Sequence, residues 1–182
     1  MKHTLLLALI MFFQTVFAQD KCKYEKNEID QFTKSKNVVT EWTDFNGSAE
    51  IHASVKLQRS DNNYILFFAC NFTTSIKDGM SVDKGQEVII LLESGDTVLS
   101  HSNESIQCVT KYRPSFNGNF DAEVHTNCNL SSEQITKIKS SPLKSIRVYM
   151  KLPTNAVSKC DLPPKKKKVN VLIDLITCIE NS

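Results

Sequence analysis

Glycine, proline and tryptophan are scarce in this sequence, which has five glycines, five prolines and one tryptophan among 182 residues. The few glycines form no loop that could cradle a phosphate group, and no Gly-x-Ser-x-Gly motif holds a serine nucleophile. The His-Glu-x-x-His motif of zinc proteases and the Cys-x-x-Cys pair of many zinc sites are also missing. We therefore predict no catalytic residue, no cofactor and no metal ligand.

An excess of charge of one sign is missing too, because 22 lysines and arginines are balanced by 20 acidic residues. A chain so close to neutrality lacks the long-range field that steers basic proteins to nucleic acid, so we predict no nucleic-acid partner. The local exception is a run of four lysines, Lys165 to Lys168, after Pro163-Pro164. The run is similar to a nuclear-import signal, but we interpret it as a solvated segment before a helix. Weak attraction to anionic lipid or polysaccharide is the alternative.

The chain opens with an apolar run that is too short to span a bilayer stably. A basic start precedes apolar residues 5–13, and the small residue Ala18 stands before Gln19. This pattern predicts a secretory signal peptide over residues 1–18, cleaved between Ala18 and Gln19. We expect an exported protein, periplasmic or secreted, whose mature chain of residues 19–182 contains no transmembrane segment.

All six cysteines follow the predicted cleavage site. An even number of cysteines in an exported chain favours disulfides over a metal site, because thiols are oxidised outside the cytosol. His125-x-x-Cys128 is the only close His/Cys spacing, and it lacks a second nearby pair of ligands. Six cysteines permit fifteen complete pairings, so the connectivity stays open. The disulfide candidates are Cys22, Cys70, Cys108, Cys128, Cys160 and Cys178.

Most of the chain has a hydrophobic pattern typical of β-strands. Apolar and polar residues alternate over 51–57 and 120–128, whereas residues 64–72 are apolar almost throughout and fit a central strand covered on both faces. Turn residues at 60–63 and 94–96 predict hairpins. The predicted strands are 51–57, 64–72, 88–92, 97–101, 120–128 and 145–152.

Two segments lack a clear strand pattern. Residues 19–41 are polar and rich in lysine, and we interpret them as an extended lead-in that is tied down through Cys22. Residues 102–118 are polar and predicted to be irregular.

Two helices are predicted late in the chain. Ser131 or Ser132 can cap a short helix that ends before Pro142. From Val169 onward, apolar residues recur at spacings of three and four, which predicts a C-terminal amphipathic helix that begins near Val169. Local strand pairs followed by late helices favour an α+β fold in a single domain over residues 19–182, mainly an antiparallel β sheet or sandwich.

Titratable side chains show one arrangement of interest. His52 and His125 fall on the polar sides of two predicted strands, and Asp121 and Glu123 precede His125 on the same side. If the two strands were neighbours, these groups could form a metal site or an acid–base cluster. Exposed strand histidines are commonly inert, and we favour that interpretation.

A disulfide-linked sheet domain without clustered catalytic groups has the parts of a binding scaffold. We therefore predict a non-enzymatic envelope or secreted module that binds a protein or glycan of the cell envelope, or serves as an accessory subunit. The alternative is a small periplasmic hydrolase or metal-dependent enzyme that uses His52 and His125. Trp42 and Tyr112 are candidates for a binding platform, although isolated aromatic residues in β proteins more often pack.

Several segments resemble a group of uncharacterised exported proteins from Bacteroidota. The segment from Cys22 to Thr33, followed by Val38-Val39-Thr40, is similar to the opening of those proteins. The resemblance implies an exported small domain and carries over no catalytic residue. The lysine run departs from the group's pattern. Later segments that resemble the group are Asp83-Lys84-Gly85, Ser94-Gly95-Asp96, the helix 131–139, the strand 146–149 and a Cys-Ile pair near the end of the chain.

Overall fold

The computed structural model describes residues 22–47, 51–112 and 119–182. The described residues form thirteen β-strands in two antiparallel sheets, together with two α-helices. The predicted class, mainly antiparallel β with one short helix and one C-terminal helix, is confirmed. The predicted signal peptide and its cleavage site at Ala18 and Gln19 lie outside the described residues.

The strands vary in length from two to twelve residues. In chain order they are β1 (Tyr24–Ile29), β2 (Lys36–Thr40), β3 (Thr43–Gly47), β4 (Ile51–Ser60), β5 (Asn63–Thr74), β6 (Ser81–Val82), β7 (Glu87–Leu92), β8 (Thr97–His101), β9 (Ile106–Gln107), β10 (Val109–Tyr112), β11 (Phe120–Leu130), β12 (Leu143–Lys151) and β13 (Val157–Leu162).

The first sheet has the strand order β1-β2-β4-β5-β11-β10, and β3 pairs with the first half of β4. The second sheet has the order β8-β7-β12-β6-β9, and β13 pairs with β12. Apolar residues from both sheets and both helices belong to one hydrophobic cluster. The core is therefore shared between the two sheets.

The hairpin of β4 and β5 is confirmed. The pair stays in register down to Ser60 and Asn63, and the turn between them places Asp61 at a positive φ of 53°, which aspartate tolerates. The prediction that this central strand is covered on both faces is wrong. Every second residue of β5 from Tyr64 to Cys70 is buried, while the residues between them are only half-buried, so the outer face of β5 is not fully covered by the described residues.

Strand β11 connects the two sheets. Its inward side from Ala122 to Leu130 is buried, as the predicted alternation requires. The one polar residue on that side, Thr126, is hydrogen-bonded to the Ser102 hydroxyl over 2.8 Å. Ser102, the residue that follows β8, forms an isolated bridge with Cys128 of β11. The chain that leaves β8 in the second sheet is therefore paired with β11 in the first sheet.

The two segments without a strand pattern in fact contain strands. Residues 19–41 were predicted as an extended lead-in, but they supply β1 and β2, and residues 102–118 supply β9 and β10. Strand β13, after Pro153, was not predicted. Most residues of β1 and half of the residues of β13 are exposed, so polar side chains are tolerated there. These strands therefore lack the alternation of apolar and polar residues by which strands are recognised in sequence.

The helices are α1 (Ser132–Lys139) and α2 (Val171–Glu180). The predicted cap of α1 is confirmed: Ser131 accepts a hydrogen bond from the backbone of Gln134, whose side chain accepts one in return. Helix α2 begins at Val171, two residues after the predicted start, and a 3-10 turn over Lys166–Lys168 precedes it. Within the described ranges, no helix is both long and apolar enough to cross a bilayer.

Candidate functional site

A cleft of about 680 Å³ lies between α2 and the corner where β2 leads into β3. One wall consists of buried and exposed side chains of α2, and the other is the chain from Thr40 to Asp44. Sites for small ligands are commonly concave and of this volume. The cleft is therefore the candidate binding site, which we call the α2 cleft.

A disulfide between Cys22 and Cys178 fixes one end of the α2 cleft. The Cα atoms of the two cysteines are 5.5 Å apart, and 156 residues separate them in sequence. Next to the bridge, the Tyr24 hydroxyl donates a hydrogen bond to the Cys178 carbonyl over 2.9 Å, and burial raises the pKa of Tyr24. The prediction that the segment of residues 19–41 is tied down through Cys22 is confirmed, and the partner of Cys22 is Cys178.

Trp42 stands at the edge of the α2 cleft, where β2 ends. Its ring is 37% exposed and meets the His125 ring edge to face, with 6.0 Å between the centroids. The Lys56 ammonium lies 5.0 Å from the centre of the indole and 5.3 Å from the centre of the Phe67 ring. A cation over an aromatic face is attracted to it, so Lys56 holds the indole over the outer face of the first sheet.

Charges of both signs line the α2 cleft. Lys23 and Lys168 contribute positive charge, and Glu41, Asp44 and Asp174 contribute negative charge. Hydroxyl groups of threonine side chains lie between them. The cleft therefore combines hydrogen-bond donors and acceptors with one aromatic surface, and no single charge dominates it.

The predicted pair His52 and His125 lies on the same outer face of the first sheet, but the two histidines are not adjacent. Strand β5 separates β4 from β11, and His52 is aligned with Glu123 rather than with His125. From the strand spacing and rise, the two histidine Cα atoms lie about 12 Å apart. The structure therefore does not bring the histidines together.

Each of these histidines has its own acidic neighbour. His125 Nε2 lies 2.7 Å from Glu123, and His52 Nε2 lies 3.5 Å from Asp44, whose carboxylate also accepts a hydrogen bond from Ser54. Asp121 lies on the same side of β11, two residues from Glu123. Among residues 22–47, 51–112 and 119–182, no cluster of three or more His, Cys, Asp or Glu side chains could hold a metal ion.

The two aromatic candidates have different surroundings. Trp42 borders the α2 cleft, whereas Tyr112 lies on β10 and contacts Phe120, with 5.5 Å between the ring centroids. The sequence identified Trp42 as a candidate but not Lys56 or Phe67. Lys56 contacts both aromatic rings only because β4, which carries Lys56, lies between β2 and β5 in the sheet. The alternation in β4 was a usable signal, since it assigns Lys56 to the outer face.

The lysine run lies beside the α2 cleft. The backbone of Lys165 donates a hydrogen bond to the Phe45 carbonyl, which attaches the start of the run to β3. Lys166 and Lys167 are exposed, as expected for a solvated segment, and Lys168 reaches the cleft. The run therefore supplies part of the positive charge at this site.

The other four predicted disulfide candidates, Cys70, Cys108, Cys128 and Cys160, are thiols in the structure. Burial raises the pKa of Cys108 to about 11 and that of Cys128 to about 12. Both groups are therefore protonated and unreactive at neutral pH.

Comparison with known proteins identifies no relative: no family model matches the chain, and no curated protein is significantly similar to it.

Proposed function

We propose that the protein is an exported, non-enzymatic binding module and that the α2 cleft binds a glycan of the cell envelope. The observation that carries this proposal is the position of Trp42, half exposed at the edge of a cleft with mixed hydrogen-bonding groups. An indole surface packs against the apolar face of a sugar ring, and carboxylates, lysines and threonines can hydrogen-bond to its hydroxyl groups.

Export is part of this proposal. The signal peptide of residues 1–18, with cleavage between Ala18 and Gln19, would leave Cys22 close to the start of the mature chain. The Cys22–Cys178 disulfide supports an oxidising compartment, because such bonds persist mainly outside the cytosol. The likeness to exported Bacteroidota proteins is consistent with the same location.

Two finer features of the fold belong to the proposal. We infer that the two sheets pack as a sandwich, which is supported by the single hydrophobic cluster that both supply. We also infer that α2 is amphipathic. Support for this comes from its buried residues Leu172, Leu175 and Ile176, and from the exposed residues Asp174 and Thr177. A helix of this kind would cover the first sheet and leave a polar surface toward the ligand.

The test is binding of envelope polysaccharide fragments to wild type, Trp42→Ala and Tyr112→Ala on a glycan array and by calorimetry. Loss of a dominant aromatic contact costs about 2 kcal/mol or more, so we expect affinity to fall at least about thirtyfold in Trp42→Ala. Tyr112→Ala is the matched control, an exposed aromatic residue on β10 that lies outside the cleft. Equal affinities of Trp42→Ala and wild type would overturn the proposed site.

A second candidate function is that of an accessory subunit, and one observation favours it. Phe32, at the tip of the β1–β2 hairpin, is 96% exposed. The tip is well ordered, because the Asp30 carboxylate accepts hydrogen bonds from the backbones of Phe32 and Thr33, and these bonds lower the pKa of Asp30. Because the backbone of the tip is already ordered, only the Phe32 side chain loses freedom when it enters a pocket of a protein partner.

The partner hypothesis is tested with a photo-crosslinking phenylalanine analogue in place of Phe32, irradiated in an envelope extract. We expect a discrete cross-linked protein. The control carries the same analogue in place of Val157, an exposed apolar residue on β13. Identical labelling from both positions would contradict docking through the hairpin.

A further inference from the structure

Two of the four thiols face each other across the core. Cys70 lies on the inward side of β5, where it is aligned with Val124 of β11 and only 3% exposed. Cys160 lies on the inward side of β13, aligned with Val148 of β12. One thiol therefore belongs to the first sheet and the other to the second.

Cys160 packs against the hydrophobic cluster that contains Cys70, and the two thiols are close enough to share a hydrogen bond. Cys70 donates to Cys160, which raises the pKa of Cys70 and lowers that of Cys160. Cys160 is also the more exposed of the two. The Cys160 thiolate is therefore the one that forms first and can be reached by a reagent from solvent.

Cys128 lies too far from Cys70 to pair with it, and Cys108 is the competing partner. Cys108 immediately precedes β10, and its backbone donates a hydrogen bond to the Met80 carbonyl. Cys108 is near enough to contribute to the raised pKa of Cys70, but the hydrogen bond of Cys70 is made to Cys160. Cys128 is four residues further along β11 than Val124, about 13 Å away along the strand. A disulfide requires Cα atoms within roughly 7 Å of each other.

We propose that Cys70 and Cys160 form a second disulfide, which links the two sheets through the core. The oxidant is an external disulfide, either a small molecule such as oxidised glutathione or the active-site bond of a thiol oxidoreductase. Inter-sheet disulfides between inward-facing strands occur in other two-sheet domains. The bridge rests on the proposed export, because the cytosol would keep the pair reduced.

The reaction proceeds by two thiol–disulfide exchanges. The Cys160 thiolate attacks one sulfur of the external disulfide, and the other sulfur leaves as a thiolate. Cys70 then gives its proton to the departed thiolate and attacks Cys160 in the mixed disulfide. This step releases the second external sulfur as a thiolate, which takes up the proton that Cys160 had lost to solvent. In total, two cysteine thiols are oxidised to one disulfide, and one external disulfide is reduced to two thiols.

The experiment uses the full chain, fully reduced and then exposed to oxidised glutathione. The protein is next unfolded in urea so that every free thiol can be alkylated, and digested without reduction for mass spectrometry. We expect peptides that join Cys22 to Cys178 and Cys70 to Cys160, with alkylation only at Cys108 and Cys128. In Cys160→Ser, Cys70 should become alkylatable. Cys128→Ser is the matched control and should keep both bridges.

Two outcomes would overturn the proposed bridge. One is a cross-linked peptide that contains Cys108, and the other is complete alkylation of Cys70 and Cys160 in a sample where Cys22–Cys178 has formed. A parallel sample from cells, with thiols blocked at lysis, tests export separately. Both bridges in that sample support export and the inference together. If the sample from cells contains six free thiols although oxidised glutathione forms both bridges in the purified protein, the proposed export is overturned. The proposed bridge would then not form in the cell.

Discussion

The two helices of this protein are specified in different ways. Helix α1 is defined by its local sequence, because Ser131 and Gln134 satisfy each other's backbone groups at its start. Helix α2 has no side-chain cap, but six of its ten residues are buried, and Cys178 links it to the beginning of the described chain. The wall of the candidate site therefore depends on contacts between residues that are distant in sequence.

Removal of the Cys22–Cys178 bridge should have the largest effect. We expect Cys22→Ser and Cys178→Ser each to lower the free energy of unfolding by about 2–5 kcal/mol, because the unfolded chain is no longer constrained. Urea denaturation measures the loss. The double variant is the control and should lose no more than either single variant. Unchanged stability in both single variants would show that α2 does not need the bridge.

The helix caps provide a matched pair with a smaller effect. Ser131→Ala should lower the free energy of unfolding by about 1 kcal/mol, because a backbone donor of α1 loses its acceptor. Asn170→Ala, at the corresponding position of α2, should change it by less than about 0.5 kcal/mol, because the Asn170 side chain makes no capping hydrogen bond. Equal losses in the two variants, measured by urea denaturation, would contradict the distinction between the helices.

An exposed local contact should matter least. Arg147 on β12 donates a hydrogen bond to Asp161 on β13 over 2.9 Å and lowers the pKa of that carboxyl group. The stabilisation is present above the ordinary carboxyl pKa and is lost as the pH falls through the lowered value. Since solvent screens the pair, we expect Asp161→Asn to cost about 0.2–1 kcal/mol at neutral pH.

The pH dependence distinguishes this contact from a general effect of charge. Thermal unfolding of wild type and Asp161→Asn, followed from neutral pH to below the lowered pKa of Asp161, should converge as Asp161 becomes protonated. Asp78→Asn, in an exposed loop, is the control and should follow wild type throughout. A constant difference between Asp161→Asn and wild type over the whole pH range would contradict the assigned role.

The difference between local signals, as in α1, and contacts between distant residues, as in α2, also explains which elements the sequence predicts. Helix α1 and the β4–β5 hairpin were predicted closely, because a capping box, a strand alternation and an Asp-Asn turn are signals within a few residues. Strands β1 and β13 were missed because their side chains are largely exposed, so pairing with a neighbouring strand and not hydrophobicity defines them.

The candidate site was predictable only in its parts. Trp42, Cys22 and the lysine run were each noted in the sequence, but fifteen pairings were open for the cysteines. Only the fold shows that Cys178 is the partner of Cys22 and that α2 therefore lies beside Trp42. Long-range pairing of this kind leaves no periodic signal in one sequence.

The most direct test of the α2 cleft uses the fact that Trp42 is the only tryptophan of the chain. Its fluorescence therefore reports on this site alone. Titration with envelope polysaccharide fragments should give a saturable change in emission, and the change should disappear in Cys178→Ser, where the wall of the cleft is released. Binding of a fragment detected by calorimetry with no change in Trp42 emission would contradict the account.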